Sequence, residues 1–155
     1  MPKALTGYPD GYLIYLVKQV EMGFRRPFEE LVAGHGISTA GYTALTVLQS
    51  HPGITSSDLA RRSFVRAQTM AETVAALGDE GLVRRESDPT HGRQILLFIT
   101  QQGVDRVASL ARDVIRLEAQ MLDRMEADEP VELVRMLRTV RDALIELPRT
   151  DHPGS

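Results

Sequence analysis

Residues 54–103 read ITSSDLARRSFVRAQTMAETVAALGDEGLVRRESDPTHGRQILLFITQQG, and this stretch decides the fold. Thr55 opens a short helix with a near-capping box, Thr55-x-x-Asp58, in which the hydroxyl oxygen satisfies an orphan amide of the first turn. Ser63-Phe64-Val65 makes a tight turn, and a second helix runs from Ala67 to about Glu80, closed by Gly81 just past its end. Two β-rich runs follow, Val83–Glu86 and Gln94–Ile99, flanking a turn of Ser87-Asp88-Pro89-Thr90-His91-Gly92. Two short helices meeting across a three- or four-residue turn, followed by a hairpin, make a winged helix-turn-helix. That order of elements points to DNA.

The rest of the chain is helical. Apolar and aromatic residues recur with helical period from Tyr8 to Val32, and Pro27 predicts a kink or break near Met22–Arg26. Ser38 is set to cap a helix over Thr39–Ser50, which His51-Pro52-Gly53 ends. Thr100 caps a long helix from Gln101 to about Met125. Asp128 caps the last one, with Pro130 in its first turn and Pro148 beyond its end near Leu147. The tail TDHPGS is expected to fray. The fold class is therefore mainly α with a small β-hairpin wing. Residues 1–155 form a single domain, with a winged helix-turn-helix lobe over 38–100 and helical segments at 8–34 and 101–147.

Composition narrows the function. The 155 residues are 43% apolar and 25% charged, ordinary for a globular protein, and no apolar run approaches the roughly 20 residues of a membrane span. The N-terminus MPKALTGYPDGY lacks a signal-peptide core, so a cytoplasmic location is expected, with no membrane partner. There is no cysteine, and His35, His51, His91 and His152 lack the paired spacing of metal ligands, so neither metal nor cofactor is expected. Nucleophile-elbow, P-loop, HExxH and GxGxxG motifs are all absent, and the chain is not read as an enzyme.

Net charge is −3, awkward for a protein that meets phosphate. The excess acid lies in one place. Residues 1–50 carry four basic and four acidic side chains and residues 51–100 six and six, whereas residues 101–155 carry eight and eleven. Every cation of the middle segment is an arginine: Arg61, Arg62, Arg66, Arg84, Arg85 and Arg93. Local placement of such groups matters more to a DNA face than the total.

The last helix carries Leu133, Leu137, Val140, Leu144 and Leu147 at an unbroken spacing of four and three. Such a seam packs on other helices. It fits either an intramolecular bundle with the first helix or an interface between two copies. A DNA reader gains two half-sites from a two-fold dimer, which favours the second.

The segment from Leu59 to Gly103 resembles the core of the MarR family of bacterial transcriptional regulators. The pieces that carry the likeness are Leu59-Ala60, Gln68-Thr69, Leu77…Gly81-Leu82-Val83, Asp88-Pro89…Arg93 and Leu97…Thr100…Gly103. The flanking helices match too, so the likeness spans nearly the whole chain. It implies an obligate homodimer, triangular in outline, whose dimerisation region is built from both chain ends. It also implies that a small aromatic acid or phenol can change DNA affinity. Departures are as informative. The family wing commonly reads Asp-Pro-x-Asp-Arg-Arg, whereas here it is Asp88-Pro89-Thr90-His91-Gly92-Arg93, one cation poorer and without the acid that orients the arginine. Asp88 is expected to take over that orienting role, with bonding to the turn as the alternative. Arg66 stands where a capping serine is usual, and it offers a phosphate clamp instead of a cap. Glu72 stands where the family has a basic or small residue; it either accepts from a cytosine amino group or is solvated or paired within the helix.

The site follows. Gln68 and Thr69 are the candidates for base edges in the major groove, since glutamine suits adenine bidentately and threonine meets a thymine methyl or a base edge. Thr55 and Ser56 present backbone N–H groups to a phosphate. Arg84 or Arg85 reaches the backbone near the wing, and Arg93 the minor groove. His91, when protonated, adds a second positive charge to the wing. Tyr15 and Tyr42 are either core or dimer packing, or the wall of a pocket for a small aromatic ligand. The partners expected are thus a double-stranded operator, a second copy of the chain and that ligand. The rival reading is a winged-helix module for protein association without an operator.

Overall fold

A computed structural model describes residues 5–149, so the tail TDHPGS lies outside the described residues. Six helices and one hairpin follow in the order α1 (Tyr12–Gly34), α2 (Thr39–Ser50), α3 (Ser56–Arg62), α4 (Ala67–Asp79), β1 (Val83–Ser87), β2 (Ile95–Ile99), α5 (Gln101–Leu122) and α6 (Glu129–Glu146). No helix among the described residues is long and apolar enough to cross a membrane.

Three helix starts are fixed by hydroxyl caps that the sequence announces. Ser38 accepts from the Gly41 amide at 3.0 Å, Thr55 from Asp58 at 3.2 Å and Thr100 from Gly103 at 3.1 Å. Gly81 takes φ +74° just past α4, the left-handed region that a Cβ disfavours. The hairpin pairs antiparallel from Val83↔Ile99 to Ser87↔Ile95. Ile54 adds a bridge to Leu97, so the residue before the N-cap of α3 serves as a third, one-residue strand.

The core sits where α2, α3 and α4 meet the hairpin and the start of α5. Leu45, Leu48, Leu59, Met70, Leu97 and Leu110 are fully enclosed there, and Val32 closes it from the end of α1. Gly103 lets α5 lie against the hairpin. A Cβ there would run into the Leu82 carbonyl oxygen and stand 2.6 Å from Ile99 Cγ1.

Four expectations need correction. Tyr8 lies in a turn, and α1 starts only at Tyr12, after Gly11. Pro27 does not break α1, which stays helical from Tyr12 to Gly34 with the proline inside it, forgoing one backbone donor. α5 stops at Leu122 rather than Met125, because the Met125 amide turns back to the Leu122 carbonyl. Asp128 makes no cap bond; Glu129 Oε2 instead accepts from the Glu126 amide at 2.8 Å.

Candidate nucleic-acid interface

α4 buries one stripe and exposes the other. Met70, Val74 and Leu77 are 0–4% exposed, at helical spacing, against α2 and α3. The opposite face presents Ala67, Gln68, Thr69, Ala71 and Glu72 to solvent. Arg66 is the N-cap residue and its side chain makes no cap bond, as its chemistry requires. Gln68 Nε2 donates to Glu72 Oε1 at 3.3 Å, so Glu72 is paired within the helix and holds the amide of the foremost base-reading candidate. Thr55 spends its hydroxyl oxygen on the cap of α3, next to Ser56.

The turn before α4 carries Phe64 with φ +55°, a left-handed conformation uncommon for a residue with a side chain. Two chain-distant bonds converge beside it. Arg149 Nη2 donates to the Val65 carbonyl at 2.8 Å, and Arg61 Nη1 donates to the Ile145 carbonyl near the end of α6 at 3.5 Å. Neither contact was legible in the sequence, since each joins residues 84 apart without a motif. Asp58 accepts from both Arg61 and Arg62, at 2.5 and 3.0 Å. Partial burial works to raise its pKa, but the two arginine bonds prevail and hold the carboxyl below its usual range.

In the wing, Arg84 and Arg85 part company. Arg84 ion-pairs with Glu86 and lies over the Phe98 ring, 4.4 Å from its centre. Arg85 points the other way on the strand, near Ala75, Gly78 and Asp79 of α4. Arg93 and His91 are exposed at the wing tip. Asp88 does not orient Arg93. Its Oδ1 accepts from the Thr90 amide at 2.8 Å and the Thr90 hydroxyl at 2.7 Å, closing the turn on itself. Those Thr90 bonds, the amide first, hold the Asp88 carboxyl below its usual range. A short carboxylate two residues before an amide bonds locally before it can reach five residues on.

Tyr15 and Tyr42 are not brought together within one chain. Tyr42 meets Phe28 edge-on at 5.2 Å, while Tyr15 tilts against Tyr12 at 6.1 Å. Phe28 lies 13 positions after Tyr15 on α1, about 20 Å along the axis.

α6 has no buried residue. Leu133 is half-buried, but Leu137, Val140, Leu144 and Leu147 are 47–58% exposed, and Val131 and Val134, which the four-three spacing does not single out, are 76% and 53% exposed. Ile14, Val17 and Val20 of α1 are open as well. Between α5 and α6 lies an apolar groove of about 840 Å³, walled by Met121, Leu122, Pro130, Leu133 and Leu137.

A family model described as MarR family matches residues 35–94. Over 130 residues the chain is 32% identical to the HTH-type transcriptional repressor Rv2887 of Mycobacterium tuberculosis, covering 83% of this chain and 91% of the relative. The chain belongs to the MarR family. The structure of Rv2887 in complex with p-aminosalicylic acid matches with a TM-score of 0.67 and 27% identity, over 86% of this chain and 98% of that one. The PcaV transcriptional regulator from Streptomyces coelicolor, in complex with its natural ligand, matches with a TM-score of 0.61 and 26% identity, over 92% and 99%. This MarR-family chain is accordingly a DNA-binding transcription regulator of the winged helix-turn-helix type, and its family and relatives are regulators rather than enzymes.

Proposed function

We propose that the protein is a homodimeric repressor that binds a pseudo-palindromic operator and is released by a small aromatic acid. The observation that carries this reading is α6, 18 residues without one buried side chain, together with an exposed apolar face on α1. Apolar area of that extent on two helices is stable in water only when covered, and a second copy offers the same faces in return. Leu133, Leu137, Val140, Leu144 and Leu147 then form the seam, with Val131, Val134, Ile14 and Val17 joining it. An obligate interface of this kind buries more than about 2,000 Å² in total.

Each reading head puts Gln68 and Thr69 toward base edges, with Arg66, Thr55 and Ser56 toward phosphate. Arg85 reaches the backbone beside the wing, and Arg93 and His91 the minor groove. Arg84 supports the wing through Glu86 and Phe98 more than it meets DNA. The named ligand of Rv2887, an aromatic acid, supports an aromatic effector here. A ligand resting on Tyr42 takes its tyrosine from α1 of the second copy, because Tyr15 of the same chain is too far along the helix. Sedimentation at micromolar concentration and binding to a duplex selected from a random pool test the proposal together. A folded monomer of 17.2 kDa, or equal affinity for selected and random duplex, would refute it. Affinity for both duplexes that ignores salt would favour the protein-association module.

A further inference from the structure

The two arginine bonds at the turn of the helix-turn-helix form a clasp. Ile145 lies in the last turn of α6, where backbone carbonyls lack a partner inside the helix, and Arg61 supplies one. Arg149, three residues past the end of α6, returns the connection by donating to the Val65 carbonyl, immediately before the N-cap of α4. Around that carbonyl the backbone has little slack. The Val65 amide is bonded to Ala60, the Phe64 amide to Arg61, and Phe64 sits at positive φ. Asp58 holds the Arg61 guanidinium from the other side at 2.5 Å. Ile145 is half-buried while the residues on either side of it are exposed, so this end of α6 is seated and the middle is not.

We propose that Arg149 is a positioning residue for DNA reading: with Arg61 it fixes the start of the recognition helix to the end of the last helix. The orientation of α4 is then set by the same helix that carries the apolar seam, and a shift of α6 moves the reading head. This rests on the dimeric DNA-reading function proposed above, but the clasp itself lies within one chain and is measurable without DNA. Arg149 is exposed and lies outside every helix, so its replacement leaves the core untouched.

The test uses the full chain. With no native cysteine, Ala75→Cys on α4 and Ala143→Cys on α6, both exposed, give two unique sites for spin labels. Labelled chains diluted in unlabelled ones report the α4–α6 distance within a protomer by pulsed electron resonance. Arg149→Gln, and separately Arg61→Gln, should broaden that distribution. In the unlabelled Arg149→Gln protein, affinity for a selected duplex should fall about five- to tenfold. Affinity for random duplex and the slope of binding against salt should stay as in the wild type. An unchanged distance distribution overturns the clasp. A broadened distribution with unchanged selectivity overturns its role in reading. Equal losses on both duplexes with a salt slope smaller by about one per site make Arg149 a phosphate contact instead. Arg149→Lys keeps a charged donor for the Val65 carbonyl: it should keep the salt slope and recover part of the selectivity, whereas no recovery counts against that bond as the positioning contact.

Discussion

Removing Gln68 should change which bases the protein prefers without changing how it responds to salt. Gln68→Ala keeps α4 intact, since alanine is the better helix former and the site is exposed. In the unbound chain the amide is bonded to Glu72 at 3.3 Å, an exposed pair four residues apart and worth about 0.2–0.5 kcal/mol. A bidentate bond to adenine is worth about 1–3 kcal/mol of discrimination, so DNA outcompetes Glu72 for the amide. The net loss is then about 0.5–2.5 kcal/mol per half-site and about 1–5 kcal/mol for a dimer on two, roughly one to four decades in affinity. Fluorescence anisotropy against a selected duplex and its single-pair variants measures this at fixed salt. The paired variant Glu72→Ala releases the amide and removes an anion facing phosphate, so it should tighten binding. The reasoning fails if Gln68→Ala leaves base preference intact, or if it lowers the salt slope, which an uncharged side chain cannot do.

Gly103→Ala should destabilise the fold by about 1–3 kcal/mol, because the added Cβ meets the backbone carbonyl of Leu82 rather than a movable side chain. Calorimetry should record a fall of about 2–10 °C in Tm. Asp58 has a lowered pKa, so its stabilising contribution is present above the ordinary aspartate value of 3.8 and is lost as pH falls through the lowered one. Asp58→Asn should therefore flatten the decline of Tm below about pH 4; an equally steep decline would remove the arginine pair as its cause. Arg85→Ala should weaken all duplexes alike and reduce the salt slope. Arg84→Ala, whose guanidinium is spent on Glu86 and Phe98, should mainly lower stability in a thermal melt.

What the sequence carried legibly was local. The caps at Ser38, Thr55 and Thr100, the glycine after α4 and the Met70/Val74/Leu77 stripe are set by residues within a turn or two, where spacing maps onto space. The family motifs add the wing and its pairing. Distant contacts left no such trace. A bridge of one residue at Ile54 has no period to detect, and nothing in the spacing of Arg149 and Val65 says that they meet. Residue type alone pairs Tyr15 with Tyr42, and the length of α1 separates them. In the wing, charge matches Asp88 to Arg93, while the nearer Thr90 amide lies within reach of its short side chain.

The pairing of the arginines also answers the acidity of the chain. Of the six cations in residues 51–100, Arg61 and Arg62 are bonded to Asp58 and Arg84 to Glu86. Arg85 and Arg93 make no ion pair among the described residues, and Arg66 stands at the start of α4. On the proposed function, Arg85, Arg93 and Arg66 would bring two to three cations per protomer to the phosphate backbone or the minor groove, or about four to six in a dimer. With a slope near −0.9 per phosphate neutralised, the logarithm of affinity should fall against that of salt with a slope of about −4 to −5. Raising salt from about 50 to 200 mM should then weaken binding by roughly 10²–10³. So few contacts should keep non-specific binding weak, and the proposed function then leaves selectivity to Gln68, Thr69 and the wing tip. A slope near −8 would mean that Arg61, Arg62 or Arg84 abandons its carboxylate on DNA, and the Asp58→Asn and Glu86→Gln variants would then show which. A slope near zero would instead sink the DNA-reading function, because no arrangement of these arginines binds phosphate without displacing counterions.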